Sequence, residues 1–522
     1  MHAANLHSDR LNLDYLRKAA KDLKRAIASG ETDARARFEA VFPGSRDPKL
    51  ADCLHVIARE NGYESWPKLK LDVELRRADR DELAARLATA LYYGRPRPVE
   101  RILTIAPDIA ETNFPLQLAL FEEDRVRAVL DAEPERVTVA EKAAEASRLA
   151  LDPLTRVCIS PYFRIRPDLA DTQLRIVRHL IDLGADPNVR HEWPDDPKVK
   201  LSVLYAAMCV ARNLPLAELL LEAGADPNDN ECAYHACEFE TLEEMRLLLK
   251  HGVTFPGTNA LFRMLDFDKL EGVELLLQNG ADPNEHLNHG GNALRHAIRR
   301  GRDGRFADLL IRYGADTSQP DKGRSPYALA AVHGNSSMME ALARHGLETD
   351  LSREERFLAA VVSGRRRDAL ELWAQDKDIV SRLSKAEQRL HNGFAAQKGR
   401  LEALELMNEV GFDPNMTDFE KMTPLHIAAW FGHSDYVRFY LGLDPDIGHI
   451  NMYGATALGN AVHGSVNCPA RDEGDYIETA RLLVDAGFPI LPERGHLDIG
   501  SDEITAFLEE RLAENGALQT SG

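Results

Sequence analysis

The chain has 522 residues and a formal net charge of −20, and 44% of its residues are hydrophobic. This length exceeds what one globular core usually holds but is ordinary for an array of repeats. The negative charge disfavours nucleic acid and anionic membranes as main partners, and no stretch approaches the roughly 20 apolar residues that a membrane span needs.

The six cysteines are scattered and lack the spacing of a disulfide framework, which indicates a reducing compartment. The first predicted helix is charged throughout and does not resemble a leader segment, so we expect a cytoplasmic protein. Secretion by a route that needs no leader stays open. Residues 1–75 hold 13 Lys and Arg against 12 Asp and Glu, so the acidic excess lies beyond them. This favours a basic protein partner, although acidity that serves only solubility explains the charge equally well.

Apolar residues at helical spacing predict a small helical module in residues 1–75. The predicted helices cover residues 10–30, 34–41 and 50–60. A fourth begins at Ser65-Trp66-Pro67, where serine is a cap and proline suits the first turn. Trp66 is interpreted as a core anchor, because a module of this size needs one large buried side chain.

Helix pairs follow from about residue 76, at first with irregular spacing. Two pairs are predicted over residues 83–105 and 116–130. Residues 134–172 contain four prolines and interrupt the helical pattern, so an irregular segment is expected there. Two weaker units are predicted between residues 357 and 410.

A five-residue motif then recurs along the chain. Gly-Ala-Asp-Pro-Asn occurs at 184–188, 224–228 and 280–284, with related copies at 314–318 and 411–415 and weaker ones from Gly252, Gly346 and Gly487. The period is close to 33 residues, and a longer interval marks an insertion. Each copy predicts a tight turn in which the Asp side chain bonds the backbone two residues on.

The clearest copy of the repeated unit spans residues 411–443. Thr423 is an N-cap type, and Pro424 suits the first helical position, where no backbone donor is missed. Small apolar residues make one narrow helix face that lets another helix come close. Gly432 ends this helix in a left-handed turn, and a second helix follows from Asp435.

This unit resembles the ankyrin repeat. The resemblance implies an all-α ankyrin-repeat solenoid of helix-turn-helix units with projecting β-turns. We expect this solenoid over residues 76–492, degenerate over 76–172 and 357–410, with a C-terminal capping helix and tail over 493–522. The 1–75 segment resembles a module that precedes ankyrin arrays in bacterial proteins, which implies a bacterial source.

Two insertions interrupt the period. Residues 190–200 enlarge one projecting turn and carry Trp193, and residues 464–475 enlarge the link between two helices of one repeat. The tryptophan either packs on its own repeat or contacts a partner, and the sequence leaves both open.

No catalytic or metal constellation is predicted. Cys232, His235 and Cys237 resemble a metal cluster, but they fall on one helix, where His235 and Cys237 point roughly 200° apart. By the resemblance, His426 hydrogen-bonds between neighbouring turns and is structural. The basic run 365–367 is interpreted as a solvated loop. We therefore predict no cofactor and no catalysis.

The predicted function is a non-catalytic protein–protein interaction scaffold or adaptor, whose protein partner binds on the concave face of the solenoid. The candidate partner-binding residues are Asp418, Phe419, Lys421, Met422, Trp430, Phe431, His433, Asn451, Tyr453 and Trp193. Large aromatics are frequent interface anchors, although these could instead pack against adjacent turns. A basic protein partner, no nucleic acid, no membrane and a monomeric state complete the prediction. The alternative is an enzyme or toxin-like effector with its site in residues 134–172 or in the N-terminal module.

Overall fold

The structure, a computed structural model, describes residues 12–42, 48, 50–193, 196–286, 291–318, 320, 323–491, 496 and 500–519. The chain divides into two compact units, one of residues 70–330 and 335–349 and the other of residues 1–69, 331–334 and 350–522. None of the helices in the described stretches is long and apolar enough to cross a bilayer.

The described elements are almost all helices. The first half holds α1 (Leu13–Ala28), α2 (Thr32–Glu39), α3 (Leu50–Glu60), α4 (Trp66–Arg77), α5 (Arg80–Tyr92), α6 (Pro96–Ile105), α7 (Phe114–Ala119), α8 (Glu123–Ala132), α9 (Pro153–Ile159), α10 (Ala170–Asp182), α11 (Val203–Tyr205), α12 (Leu214–Glu222), α13 (Cys232–Ala236), α14 (Glu243–Lys250) and α15 (Ala260–Asp266). The second half holds α16 (Leu270–Gln278), α17 (Ala293–Arg299), α18 (Gly304–Arg312), α19 (Pro326–Val332), α20 (Ser336–Arg344), α21 (Arg353–Val362), α22 (Arg366–Gln375), α23 (Ile379–Arg382), α24 (Lys385–Gln388), α25 (Leu390–Ala395), α26 (Leu401–Glu409), α27 (Pro424–Trp430), α28 (Ser434–Leu441), α29 (Ala457–Asn467), α30 (Tyr476–Asp485) and α31 (Asp502–Gln519). The predicted helix start at residue 10 and the predicted boundary at 493 lie outside the described residues.

In the unit of residues 70–330 and 335–349, the helices pack as pairs and the pairs stack. α5 packs on α6, α7 on α8, α15 on α16 and α17 on α18. The first helices of neighbouring pairs contact each other, as in α7 with α9 and α15 with α17. The second helices do the same, as in α8 with α10 and α18 with α20. The result is two helical layers that share one core, which confirms the predicted all-α solenoid.

The other unit has the same arrangement of stacked helix pairs, and its last helix makes an additional contact. α25, α27 and α29 form one layer, and α28 and α30 pack together in the second. α31 packs on α30 and also contacts α3. Lys24 on α1 also reaches α31, where its Nζ lies 3.1 Å from a carboxylate oxygen of Glu510.

The turns that open the repeats have a common hydrogen-bond pattern. Each opening glycine has a positive φ, for example 98° at Gly184 and 90° at Gly411, which only glycine adopts without strain. The Asp of the turn accepts a bond from the backbone two residues on, as Asp282 does from Asn284 at 2.8 Å. The asparagine then bridges to the next repeat, because Asn284 Nδ2 donates to Gly314 O at 2.7 Å and Asn284 Oδ1 accepts from Asp316 N at 2.6 Å.

Replacing Asn284 with alanine should therefore lower the free energy of unfolding by roughly 1–2 kcal/mol, because two backbone groups of the next repeat lose their partner. Asn415→Ala is the matched control, since Asn415 is exposed and its side chain forms no hydrogen bond within the described residues. Urea denaturation of both variants checks the prediction. Equal midpoints for the two variants would show that the asparagine bridge does not stabilise the stack.

Residues 134–172 are more regular than predicted. A short antiparallel pair, β1 (Glu141–Lys142) and β2 (Ala150–Leu151), precedes α9, and α9 packs on α10. Every residue of α9 is buried. A helix buried on all sides has no polar face, so it lacks the periodicity on which a sequence-based prediction depends. Pro153 lies within its first turn, where it breaks no hydrogen bond.

The insertion at residues 190–200 is a β-hairpin rather than an enlarged turn. β3 (Arg190–Trp193) pairs with β4 (Asp196–Ser202), with His191 opposite Leu201 and Trp193 opposite Asp196. Exposed Lys198 and Lys200 alternate with Val199 and buried Leu201, the period-two pattern of a strand.

Candidate partner-binding surface

Two projecting turns one repeat apart have the same internal structure. In the 418 turn (residues 418–422), Asp418 Oδ1 accepts hydrogen bonds from the backbone N–H groups of Glu420 and Met422, both at 2.9 Å. In the 451 turn (residues 451–455), Asn451 Oδ1 accepts from the backbone of Tyr453 at 2.9 Å and of Ala455 at 3.0 Å. Each turn is thus held by one side-chain oxygen at its first position.

Two hydrogen bonds join the two turns. The Met452 backbone N–H donates to Glu420 O at 2.8 Å, and the Tyr453 hydroxyl donates to the Glu420 carboxylate at 2.8 Å. A third comes from His449, just before the 451 turn, whose Nε2 donates to Lys421 O at 2.8 Å. Because the contacts run through both backbone and side chains, the two turns form one surface of fixed geometry.

A groove of about 840 Å³ opens beside these turns. Glu420, Met422, Ile450 and Tyr453 line it together with Trp430. The half-buried Trp430 ring lies 5.2 Å from the ring of His463, which occupies the same position one repeat later. The structure thus brings Met422, Trp430 and Tyr453 together, as the sequence analysis proposed for one surface.

Exposed apolar side chains concentrate on the same turns. Phe419 is 86% exposed, Tyr453 69% and Met452 56%. Ile447 and Ile450 are exposed beside them. Of the twelve large hydrophobic side chains exposed among the described residues, five lie between residues 419 and 453, so this patch is not the usual scatter of single surface residues.

Two residues proposed for this surface are buried instead. His433 is 8% exposed, and its Nδ1 lies 3.1 Å from Ala395 O, a bond that fixes α27 and α28 to the preceding repeat. Asn451 is 5% exposed and its side chain holds the 451 turn. Neither side chain is available to a partner, and both are removed from the proposed site.

The remaining proposed residues divide by exposure. Phe431 is half-buried, stacks on His433 with ring centroids 5.6 Å apart, and does not line the groove. Lys421 is exposed, and Asp418 is half-buried because its carboxylate holds the turn. Trp193 is 41% exposed and belongs to the other compact unit.

Sequence reasoning missed Met452, Ile450 and His463. An offset of 33 residues superposes Asp418 on Asn451, Phe419 on Met452 and Trp430 on His463. Comparing the two turns position by position would have shown that both carry an apolar tip. The contribution of Ile450 follows only from the three-dimensional contact between the turns.

The histidine that follows Thr423-Pro424-Leu425 is structural. His426 Nδ1 lies 2.8 Å from the Thr423 hydroxyl, at the start of α27. Burial lowers the pKa of His426 to about 4, so the ring is neutral at pH 7 and unsuited to act as an acid there.

The cysteines and histidine near residue 235 have separate partners. Cys232 Sγ contacts the Asp229 carboxylate at 3.0 Å, and Cys237 Sγ donates to Ala233 O at 3.2 Å. His235 lies between the carboxylates of Glu231 and Glu238. Across the described stretches, no group of three or more His, Cys, Asp or Glu residues is arranged to hold a metal ion. Burial raises the pKa of Cys237 to about 12, so it remains a thiol at neutral pH.

Comparison with known proteins identifies the repeated unit. The family model described as ankyrin repeats (3 copies) matches residues 203–286, 261–355 and 393–490. The last match contains both turns and all the groove-lining residues except His496. Ankyrin repeats support a role in protein–protein interaction, because stacked repeats present extended binding surfaces.

Individual relatives match only part of the chain. It is 29% identical over 150 residues to the ankyrin repeat protein nuc-2 of Neurospora crassa, which covers 28% of this chain and 14% of that protein. It is 31% identical over 117 residues to protein phosphatase 1 regulatory subunit 12A of Mus musculus, which covers 22% of this chain and 11% of the relative. The solved ankyrin repeat domain of human ASB11 is 17% identical, with 48% of this chain and 96% of that domain covered at a TM-score of 0.23. The family matches and the stacked helix pairs together show that residues 203–355 and 393–490 of this chain are ankyrin repeats.

Proposed function

We propose that this protein is a non-catalytic scaffold or adaptor that binds a protein partner through the 418 and 451 turns, on the concave face of its solenoid. The observation that carries the proposal is the patch of exposed Phe419, Met452 and Tyr453 beside a groove. Large aromatic side chains that become desolvated in a complex commonly dominate its binding energy.

The rigidity of the two turns supports this role. A partner gains most from a surface that is already ordered, because ordering loops and side chains on binding costs free energy. The carboxylate of Asp418, the amide of Asn451 and the bond between Met452 N and Glu420 O hold the turns before any partner arrives. Trp430 provides an apolar floor on which a partner side chain can pack.

Charge beside the patch favours a basic partner. Asp413, Asp444 and Asp446 are exposed nearby, and Glu420 is half-exposed at the groove. Acidic groups around an apolar patch mainly speed the encounter with a basic surface. The proposal further includes a monomeric, cytoplasmic protein that needs no cofactor. The name of the mouse relative, a regulatory subunit, supports a role exerted on a protein partner.

Neutralising two carboxylates of the 418 turn should lower the association rate with a basic partner. Asp418→Asn keeps the turn, because Asn451 performs the same task one repeat later, and Glu420→Gln keeps an acceptor for Tyr453. We expect the association rate to fall roughly 3- to 10-fold at low salt and the difference to vanish at high salt. Biolayer interferometry at several salt concentrations measures both rates.

The matched control is Glu31→Gln with Asp33→Asn, which removes the same charge from exposed positions at the start of α2. This variant should bind at the wild-type rate. If both double variants slow association equally, the effect is one of overall charge and not of these turns.

A further inference from the structure

A small cavity lies between α5, α9 and the loop that joins β1 to β2. Its volume is about 80 Å³. Leu91 on α5, Leu149 and Leu151 from the loop and β2, and Ile159 on α9 form an apolar wall. Leu151 and Ile159 also belong to the core cluster there, so this wall is well packed.

Two arginines line this cavity, and one of them, Arg148, is exposed. Arg156 on α9 lines it and is 5% exposed. Its Nη2 donates to Glu141 O at 2.6 Å. Within the described part of the chain, its Nε has no hydrogen-bond partner, and neither has the hydroxyl of the buried Ser147, which lines the same cavity. Buried polar groups are normally paired, so two buried donors that line one cavity are suited to bind an acceptor there.

Two carboxylates act on Arg156 through their charge, but neither accepts a hydrogen bond from it within the described residues. The two oxygens of Glu141 accept from Arg136 Nε at 2.9 Å and Nη2 at 2.8 Å. Asp152 accepts from Thr155 N at 3.0 Å and so caps α9. Burial lowers the pKa of Arg156 to about 10, which leaves the guanidinium charged at pH 7. The charges of Asp152 and Glu141 offset part of this burial. An acceptor in direct contact with the guanidinium would stabilise its charge further.

We propose that the cavity binds a short-chain monocarboxylate, with its carboxylate on Arg156 and Ser147 and its hydrocarbon against Leu149, Leu151 and Ile159. A single negative charge matches the one buried guanidinium, and the apolar wall suits a hydrocarbon chain. Inorganic phosphate fits poorly, because several of its oxygens would face apolar atoms without a donor. Since a water molecule takes up roughly 30 Å³, the cavity accommodates a molecule of roughly two to four carbon atoms.

The loop that covers the cavity is fixed by hydrogen bonds to α5. The backbone N–H groups of Glu145 and Ala146 donate to the Asp81 carboxylate at 3.1 and 3.3 Å. These bonds fix residues 145–146 next to Ser147, so the loop presents its hydroxyl to the cavity. The ligand site is independent of the proposed protein-binding turns. An experiment can therefore contradict one of the two proposals without affecting the other.

Titration calorimetry of the full chain with sodium propionate tests the proposal, with propionamide and inorganic phosphate as probes at the same ionic strength. We expect propionate to bind and the two other probes to give no heat above dilution. Arg156→Gln should raise the dissociation constant at least ~10-fold, because a charge-assisted hydrogen bond is lost. Arg97→Gln, at an exposed position of α6, is the matched control and should bind like the wild type.

Ala88→Phe fills the cavity from α5 without touching its charge and should also abolish binding. If Arg156→Gln fails to fold, the Ala88→Phe variant still tests the proposal. No propionate binding to the wild type, or equal binding of propionamide, would overturn the proposal. So would unchanged binding in a folded Arg156→Gln or Ala88→Phe variant, and so would a crystal structure grown with propionate that shows only water at Arg156.

Discussion

Gly464→Ala should lower the free energy of unfolding by about 3 kcal/mol, the upper end of what an added methyl costs in a packed interface. Gly464 lies on α29, where that helix crosses the end of α27. A methyl group there would lie 3.0 Å from the carbonyl carbon of Trp430 and 3.1 Å from its Cα. Backbone cannot rotate away as a side chain can, so the two helices must separate. Urea denaturation measures the loss.

Gly393→Ala is the matched control, because Gly393 also lies in a helix, α25, of the same unit. Apart from the adjacent residues and the backbone of its own helix, no described atom lies within 4 Å of a methyl group at this position. Here alanine should stabilise the protein by roughly 0.5–1 kcal/mol, since glycine in a helix loses more backbone entropy on folding. Opposite shifts of the two midpoints are expected. A stable Gly464→Ala variant would contradict the close approach of α27 and α29.

Phe419→Ala combined with Tyr453→Ala should weaken binding of the protein partner roughly 100- to 1,000-fold, because truncating a hot-spot residue costs about 2 kcal/mol or more. Both rings are exposed, so the circular dichroism spectrum and the denaturation midpoint should not change. Tyr453→Phe separates the ring from its hydroxyl, which donates to Glu420. It should retain most of the affinity if the ring carries the contact.

Tyr15→Ala combined with Phe267→Ala is the matched control. These two aromatics are also exposed, at 68% and 43%, but lie on α1 and beside α15, away from both turns in sequence. The control variant should bind like the wild type. Equal loss in both double variants would show that exposed aromatics act through solubility rather than through this surface.

The repeats could be predicted from the sequence because their signals are local. The Asp-Pro-Asn turn, the cap at Thr423 and the left-handed glycines each depend on a few neighbouring residues. The observed helices α27 (Pro424–Trp430) and α28 (Ser434–Leu441) accordingly begin close to the predicted positions. By contrast, α9 is buried on all sides, and its sequence has no amphipathic period to detect.

The candidate site was predictable only in part, because exposure depends on contacts between repeats. Phe419 and Tyr453 are exposed as proposed, whereas His433 is buried and bonds to Ala395 O of the preceding repeat. Asn451 looks like a surface residue, yet its side chain is used within its own turn. Nothing in the local sequence of Arg156 marks it as buried, since its burial follows from the packing of α9.

The most direct test of the binding surface is photocrosslinking from the tip of the 418 turn. A photoreactive phenylalanine analogue replaces Phe419 in one protein and Tyr15 in a second, and each is irradiated with the purified partner. We expect one discrete adduct from position 419, lost when Tyr453→Ala is added, and none from position 15. No adduct from position 419, or one that persists at full yield with Tyr453→Ala, would contradict the assignment of these turns as the binding surface.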